Sequence, residues 1–390
     1  MRRWQLTGEA VYRSHHATGI EWTPVLRTEV GQLSRILTDQ VEAILRAETD
    51  AARMKGLVVG LALPGKEPEY LAIGADAADR ELSTDSLFPV ASITKLATSL
   101  ALLRLADRGM LSVDDPLARF LPEAEAAQPG VTLRGLLSHS AGLPLDPPAE
   151  AAPYQLGLDW PTLARACRQT PLQRTPSTYV QYSNVGYGLV ALVVEGQTGR
   201  GFPDALRELV LEPLGIDGYL GQDLPRPPAL LAGVRGSHAG TPMETFNSPF
   251  WQSLAMPWAG LVTTIAGALA LVRAFQGVPA GFLCPETAAD ATRNQNGDLI
   301  GGYQQPPLSW NRCPWGLGPE IHGEKSPHWV SPEAGADSFG HAGASGCLAW
   351  AESATGLAWA VMGSRTAYSG WLLRRGPAIG RTLLKASRGN

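Results

Sequence analysis

Ser92 and Lys95 have the residue types and the spacing of a nucleophile and its base. They lie three residues apart at the start of a predicted helix that ends near Gly109, and residues i and i+3 share one helix face. A serine hydroxyl is a weak nucleophile that needs an adjacent base. A lysine acts as a base only where burial or a nearby cation lowers its pKa. Because this helix is apolar on most sides, we expect Lys95 to be buried and to activate Ser92.

A second polar group, Tyr182-Ser183-Asn184, stands in a loop before a predicted helix over 185–198. A phenol beside an ammonium ionises more readily, so Tyr182 could relay protons. The Asn184 amide could donate to a substrate carbonyl and accept from a lysine. The alternative is a surface tyrosine followed by a helix-capping asparagine.

A glycine-rich segment over 339–350 supplies the third candidate group. Glycine lets a substrate approach the backbone closely at Gly343. The Ala344 and Ser92 amides would form an oxyanion hole, in which one donor is worth about 3 kcal/mol of transition-state stabilisation. His341 would orient a substrate carboxylate or join the proton relay. The alternative is a glycine-rich edge strand with an incidental histidine.

His139 and Asp146 offer a competing Ser/His/Asp arrangement. Loop histidines usually satisfy local hydrogen bonds, so we favour a structural His139. The chain also has no Gly-x-Ser-x-Gly elbow, which weakens an α/β-hydrolase interpretation.

The three groups occur in the order and rough spacing of the active-site motifs of the serine β-lactamase and penicillin-binding-protein superfamily, which the chain resembles over roughly residues 33–385. These motifs are Ser92-Ile-Thr-Lys95, Tyr182-Ser-Asn184 and His341-Ala-Gly343. Further similar segments are 136–144 (LLSHSAGLP), 258–275 and 315–318 (WGLG). The resemblance is to the class C β-lactamase branch, which includes DD-peptidases, D-aminopeptidases and β-lactamase-type carboxylesterases. It implies Ser92, Lys95 and Tyr182 as catalytic residues.

The third motif departs from that of the true class C β-lactamases, which have Lys-Thr-Gly where this chain has His341-Ala-Gly343. A lysine that would pair with a substrate carboxylate is replaced by a group near neutrality at pH 7. We therefore predict an esterase or amidase that works through a Ser92 acyl-enzyme. The alternatives are a D-amino-acid peptidase, a weak β-lactamase, and an acylatable sensor or binding protein that does not turn over.

The order of the predicted elements indicates an α+β fold of the β-lactamase type, with an antiparallel sheet flanked by N- and C-terminal helices and an inserted all-α domain. Hairpins are predicted over 57–74 and 345–363, and a helix over 371–387 is predicted to be interrupted at Gly376-Pro377. Residues 1–31 are predicted to be a tail. The α/β domain is expected to combine 32–88 with 256–390, the helical domain to span 89–255, and the active site to lie between them.

Composition narrows the possible partners. The net charge of −4 gives no electrostatic indication of nucleic acid binding. The four cysteines have no zinc-ligand spacing and are expected to be free thiols. The N-terminus lacks an apolar h-region, and prolines and polar residues interrupt the uncharged stretch 245–272, so we expect a cytoplasmic protein that binds no membrane. We expect a small ester, amide or peptide substrate and no metal or organic cofactor.

Overall fold

The computed structural model describes residues 32–49, 54–304 and 308–387. The predicted tail, 1–31, lies outside these residues. The helices are α1 Gln32–Thr49, α2 Thr94–Asp107, α3 Leu133–Leu137, α4 Trp160–Arg168, α5 Asn184–Thr198, α6 Phe202–Leu206, α7 Pro249–Ser253, α8 Ile265–Ala274, α9 Pro285–Ala291 and α10 Trp371–Ser387. The strands are β1 Gly56–Ala62, β2 Glu69–Gly74, β3 Phe88–Pro89, β4 Val180–Gln181, β5 Gly218–Leu220, β6 Leu261–Thr263, β7 Gly301–Tyr303, β8 Leu308–Trp310, β9 Glu320–Ile321, β10 Phe339–Gly343, β11 Cys347–Ala351 and β12 Ala358–Gly363.

A six-stranded sheet in the order β2-β1-β12-β11-β10-β9 joins the two ends of the chain. All of its pairings are antiparallel, and the predicted hairpins are confirmed as β1–β2 and β11–β12. The first and last parts of the chain meet where Leu57 pairs with Gly363. The fold is therefore α+β, as predicted.

Alternating side chains of the sheet build two cores, because successive residues of a strand point to opposite faces. On β1, Leu57, Val59 and Leu61 belong to the core shared with α1 and α10. Val58 and Ala62 belong to the larger core shared with α2, α5 and α8. Apolar burial on both faces fixes the register, since a slip of one residue would exchange the faces.

Helix α2 runs through the larger core, and its residues from Thr94 to Leu103 are all buried. A helix that is apolar nearly all round belongs inside a protein, so the burial expected for Lys95 is confirmed. Helix α8 begins after Thr264, whose side chain accepts a hydrogen bond from the Gly267 amide. Within the described residues, no helix is both long enough and apolar enough to span a membrane.

The predicted interruption of the last helix is wrong, since α10 continues through Pro377. The glycine before this proline has a packing role, because a Cβ at Gly376 would collide with the carbonyl oxygen of Trp329. The close approach of α10 to the Trp329 loop requires glycine here.

Candidate active site

Ser92 lies in a single 3₁₀ turn, Ala91–Ile93, directly before α2. Strand β6 holds this turn from both sides, because the Val90 amide donates to the Leu261 carbonyl at 3.0 Å and the Leu261 amide donates to Thr94 Oγ1 at 3.0 Å. Ala91 has a φ of 46°, a left-handed conformation that non-glycine residues rarely adopt. The fold thus fixes the backbone beside a half-buried Ser92.

Lys95 is fully buried and is held by two oxygen atoms. Its Nζ donates to Asn184 Oδ1 at 2.7 Å and to the Trp258 carbonyl at 3.0 Å, rather than to Ser92. The same nitrogen lies 4.6 Å from the centroid of the Tyr182 ring. Burial lowers the pKa of Lys95 well below its usual value, and the Asp146 carboxylate offsets part of that shift. A lysine in these surroundings can exist as the neutral amine that a base requires.

Tyr182 is buried between Lys95 and the aromatic side chains behind the site. Burial raises the pKa of Tyr182 well above its usual value, and the nearby Ser92 hydroxyl offsets part of the rise. The expectation that Tyr182 ionises more readily is therefore wrong, because desolvation outweighs the neighbouring lysine. Its hydroxyl has no partner with hydrogen-bond geometry among the described residues, so a neutral phenol faces the site.

Asn184 is the first residue of α5, and the capping residue is its neighbour Ser183, which accepts from the Gly186 amide. The Asn184 amide nitrogen of the side chain donates to Asp146 Oδ1 at 2.6 Å. Because one end of this side-chain amide is bound by a carboxylate, the other end presents its oxygen to Lys95. The Asn184 backbone amide also donates to the Leu145 carbonyl at 2.6 Å, so the loop at 144–146 holds this residue firmly.

His341 lies on β10 and is fully buried. Its Nδ1 is 2.7 Å from the Ala342 carbonyl, and its ring centroid is 5.8 Å from that of Tyr182. Burial lowers the pKa of His341 to about 4, so the imidazole is neutral at pH 7. This position therefore supplies no positive charge for a substrate carboxylate.

The end of β10 meets the Ser92 turn at Gly343, where a Cβ would collide with the Val90 carbonyl oxygen. Ala344 follows in the β10–β11 turn, and its carbonyl accepts from the Ala367 amide at 2.9 Å. Glycine at 343 permits this approach. The structure thus brings the end of β10, directly before Ala344, against the backbone that leads into the Ser92 turn.

His139 is buried behind the site and has a φ of 61°. Its Nδ1 accepts the Ser183 amide at 3.1 Å, and its ring lies 4.5 Å from Tyr182 and 4.7 Å from Trp315, centroid to centroid. Asp146 bonds to Asn184 instead. The structural interpretation of His139 therefore fits its contacts better than the competing triad.

Sequence reasoning missed a buried cluster that packs against Tyr182 through the Tyr303 ring. Glu320 and Lys325 form a fully buried ion pair at 2.9 Å. Glu320 also accepts from the Tyr303 hydroxyl at 2.8 Å, and the Tyr303 ring lies 4.6 Å from that of Tyr182. In the sequence, this cluster is indicated only by Lys325, because the chain has just five lysines and each of them invites a search for a specific role.

The fold and the arrangement of Ser92 and Lys95 are typical of a serine hydrolase. A model of the β-lactamase family matches residues 41–374, and the chain belongs to this family.

Relatives of the chain include both esterases and penicillin-binding proteins. Esterase EstB of Burkholderia gladioli is 32% identical over 289 residues, covering 62% of this chain and 71% of the esterase. Penicillin-binding protein 4 of Amycolatopsis lactamdurans is 30% identical over 280 residues, covering 68% of each chain. The fold is also similar to the D-amino acid amidase of Ochrobactrum anthropi, with a TM-score of 0.70 at 22% identity, covering 91% of this chain and 99% of the amidase.

Proposed function

We propose that the protein hydrolyses small esters or amides through an acyl-enzyme on Ser92. The observation that carries this proposal is the buried Lys95 amine, whose pKa is lowered and which lies in the first turn of the helix that follows the Ser92 turn. Burying a lysine is costly. A structural role rarely repays that cost when the partners are one amide oxygen and one carbonyl.

The proposed reaction has two acyl transfers. The Ser92 proton passes to the neutral Lys95 amine as Oγ bonds to the substrate carbonyl carbon. The Ser92 and Ala344 amides stabilise the oxyanion. Tyr182, protonated and next to Ser92, is placed to hand a proton to the leaving group while it takes up the proton that Lys95 received, so that Tyr182 stays a phenol and Lys95 returns to the neutral amine. Water then attacks the acyl-enzyme, Lys95 accepts a proton from that water, and the proton passes back to Ser92 Oγ as the carboxylic acid product leaves.

The site favours esters or amides over β-lactams, because a neutral His341 replaces the lysine of the third motif. The relatives are named an esterase and a penicillin-binding protein, so D-amino-acid peptidase activity, weak β-lactamase activity and a sensor that stays acylated are the alternative outcomes. Residues 89–255 supply the Ser92 turn and the start of α5 to the proposed site, and residues 256–390 supply β10. We therefore place the site between a helical domain and a discontinuous α/β domain, in a protein predicted to be cytoplasmic.

The test is intact-mass spectrometry with a fluorophosphonate and a penicillin, together with turnover of p-nitrophenyl butyrate. We expect wild type to gain one adduct and to hydrolyse the ester, and Ser92→Ala to do neither. Ser99→Ala, which changes a nearby serine inside α2, should keep both. Equal labelling and turnover in Ser92→Ala would overturn the nucleophile assignment. A stable penicillin adduct without ester turnover would instead identify a sensor.

A further inference from the structure

Strand β7 supports Tyr182 through both its backbone and its side chain. The Tyr182 amide donates to the Gly302 carbonyl at 3.2 Å. The next residue of β7, Tyr303, places its ring 4.6 Å from the Tyr182 ring, centroid to centroid, with the two planes tilted by 43°. This separation lies within the range of favourable aromatic pairs. Two separate contacts therefore join Tyr182 to one strand.

The orientation of the Tyr182 ring depends on packing, because its hydroxyl is not anchored. The hydroxyl makes no hydrogen bond of good geometry within the described part of the chain. The ring is instead packed by Lys95 Nζ at 4.6 Å, by the His139 ring at 4.5 Å and by the Tyr303 ring at 4.6 Å, each measured to the Tyr182 centroid. Since the hydroxyl oxygen is the atom farthest from the backbone, a small rotation of the side chain displaces it most.

Tyr303 is held at its far end by a buried carboxylate. Its hydroxyl donates to Glu320 Oε2 at 2.8 Å, and a hydrogen bond to a charged acceptor is about twice as strong as one between neutral groups. The other oxygen, Oε1, accepts from Lys325 Nζ at 2.9 Å, and both side chains of this ion pair are fully buried. Lys325 also donates to the Pro314 carbonyl at 2.9 Å. The Tyr303 ring therefore lies between Tyr182 and a carboxylate that is held on both of its oxygens.

Stability alone gives a poor reason for this cluster. Desolvation of two buried charges cancels much of their attraction, and well-packed apolar side chains of similar volume often stabilise a protein as well or better. Apolar side chains could not accept a hydrogen bond from the Tyr303 hydroxyl. The feature that the charges add is thus a fixed position for Tyr303, and through it for Tyr182.

We propose that Tyr303, anchored by Glu320, is a positioning residue that holds the Tyr182 phenol where its hydroxyl can protonate the leaving group. This inference rests on the proposed hydrolase function and assigns the buried cluster a part in it. As the bond between the acyl carbon and the leaving oxygen breaks, that oxygen takes the Tyr182 proton, and Tyr182 takes the proton that Lys95 received from Ser92. The cluster should therefore matter most for leaving groups that need a proton.

The experiment compares two esters that share an acyl group and differ in the acidity of the leaving phenol, namely p-nitrophenyl butyrate and p-methoxyphenyl butyrate. The p-nitrophenolate anion leaves without help, whereas p-methoxyphenol leaves more readily with a proton. We expect Tyr303→Phe to lower kcat/KM about tenfold for the p-methoxyphenyl ester and by no more than about twofold for the p-nitrophenyl ester. Because the ratio of the two values is taken on one preparation, a fraction of unfolded protein does not change it.

Tyr303→Phe keeps the ring, and it leaves Glu320 with Lys325 and with the Trp329 indole at 3.3 Å. Tyr182→Phe, which removes the proton donor itself, should raise the ratio about a hundredfold. Tyr154→Phe is the matched control, because it also removes a hydroxyl that donates a hydrogen bond at 2.9 Å, in this case to the Met243 carbonyl. It should keep the wild-type ratio.

A second variant weakens the same anchor without leaving a lone buried charge. In the double variant Glu320→Gln/Lys325→Met, an amide oxygen remains for the Tyr303 hydroxyl, but the charge is gone. The ratio should rise about threefold. This variant takes the place of Tyr303→Phe should that protein not fold.

A wild-type ratio in Tyr303→Phe would overturn the inference, as would an equal loss on both esters, which is the result of a merely structural role. A wild-type ratio as high as that of Tyr182→Phe would also overturn it, since Tyr182 would then donate no proton. Failure of the proposed function looks different, because then neither ester is hydrolysed in a way that depends on Ser92.

Discussion

At the residue scale, the proposed mechanism depends on the protonation state of Lys95. A charged amine with only two oxygen acceptors is poorly compensated inside a protein, so burial lowers its pKa. The Asp146 charge raises the pKa of Lys95, so the amine keeps part of its affinity for a proton. A base needs both properties, since it must start neutral and still accept the Ser92 proton.

Replacing Lys95 by arginine tests this balance, because a guanidinium remains protonated and cannot act as a base. We expect Lys95→Arg to lower kcat for an ester substrate by about a factor of 10³, with acylation of Ser92 slowed equally in single-turnover measurements. Lys66→Arg, at an exposed lysine, should match wild type. A Lys95→Arg enzyme within tenfold of wild type would show that another group activates Ser92.

At the element scale, the meeting of β10 with the Ser92 turn sets the distance between the two proposed oxyanion donors. Gly343 permits that contact, and Gly376 similarly permits the contact between α10 and the Trp329 loop. Hairpins and helices were predictable from local patterns, such as the short apolar runs of β1 and β2 on either side of a Pro-Gly turn. The continuity of α10 through Pro377 was not, because tertiary packing decided it.

Adding one methyl group at Gly343 should separate these two elements. We expect Gly343→Ala to lower kcat/KM about tenfold or more, because a small displacement of a catalytic group is costly, and to destabilise the fold by about 1–3 kcal/mol. Gly196→Ala in α5 is the matched control, since a Cβ there meets nothing within 4 Å. Activity and thermal melting of both variants are the measurements. An active Gly343→Ala with unchanged melting would mean that β10 and the turn can separate freely.

The buried Glu320–Lys325 pair links β9 to the region behind Tyr182. Both residues lie in a segment without helical or strand periodicity, so the sequence does not predict that Glu320 and Lys325 form a pair. Removing one partner leaves an uncompensated charge, and we expect Glu320→Gln and Lys325→Met each to cost about 3–5 kcal/mol of unfolding free energy. The double variant should cost clearly less than the sum, as measured by urea unfolding. Additive losses would show that the two charges do not stabilise each other.

At the scale of the whole molecule, the sheet closes the chain on itself and brings residues 92, 184 and 341 into one site. Each local motif was predictable from residue type and spacing, whereas the Asp146–Asn184 contact and the Glu320 cluster depend on that closure. The same closure buries several histidines. Burial lowers the pKa of His322 and of His341 to about 4.

These buried histidines predict that the fold loses stability in mild acid. Between the ordinary histidine pKa of about 6.5 and the folded value of about 4, the unfolded chain binds protons that the native protein does not. Stability therefore falls as the pH drops through this window, by about 2 kcal/mol per histidine between pH 7 and pH 5. The Glu320 carboxylate, whose pKa is lowered chiefly by Lys325 against the effect of burial, adds its own loss only below about pH 4.5. Urea unfolding at pH 7 and pH 5 measures the effect, and His322→Gln should reduce the difference between the two pH values by about 2 kcal/mol. An equal difference in His322→Gln and wild type would mean that His322 accepts its proton without unfolding.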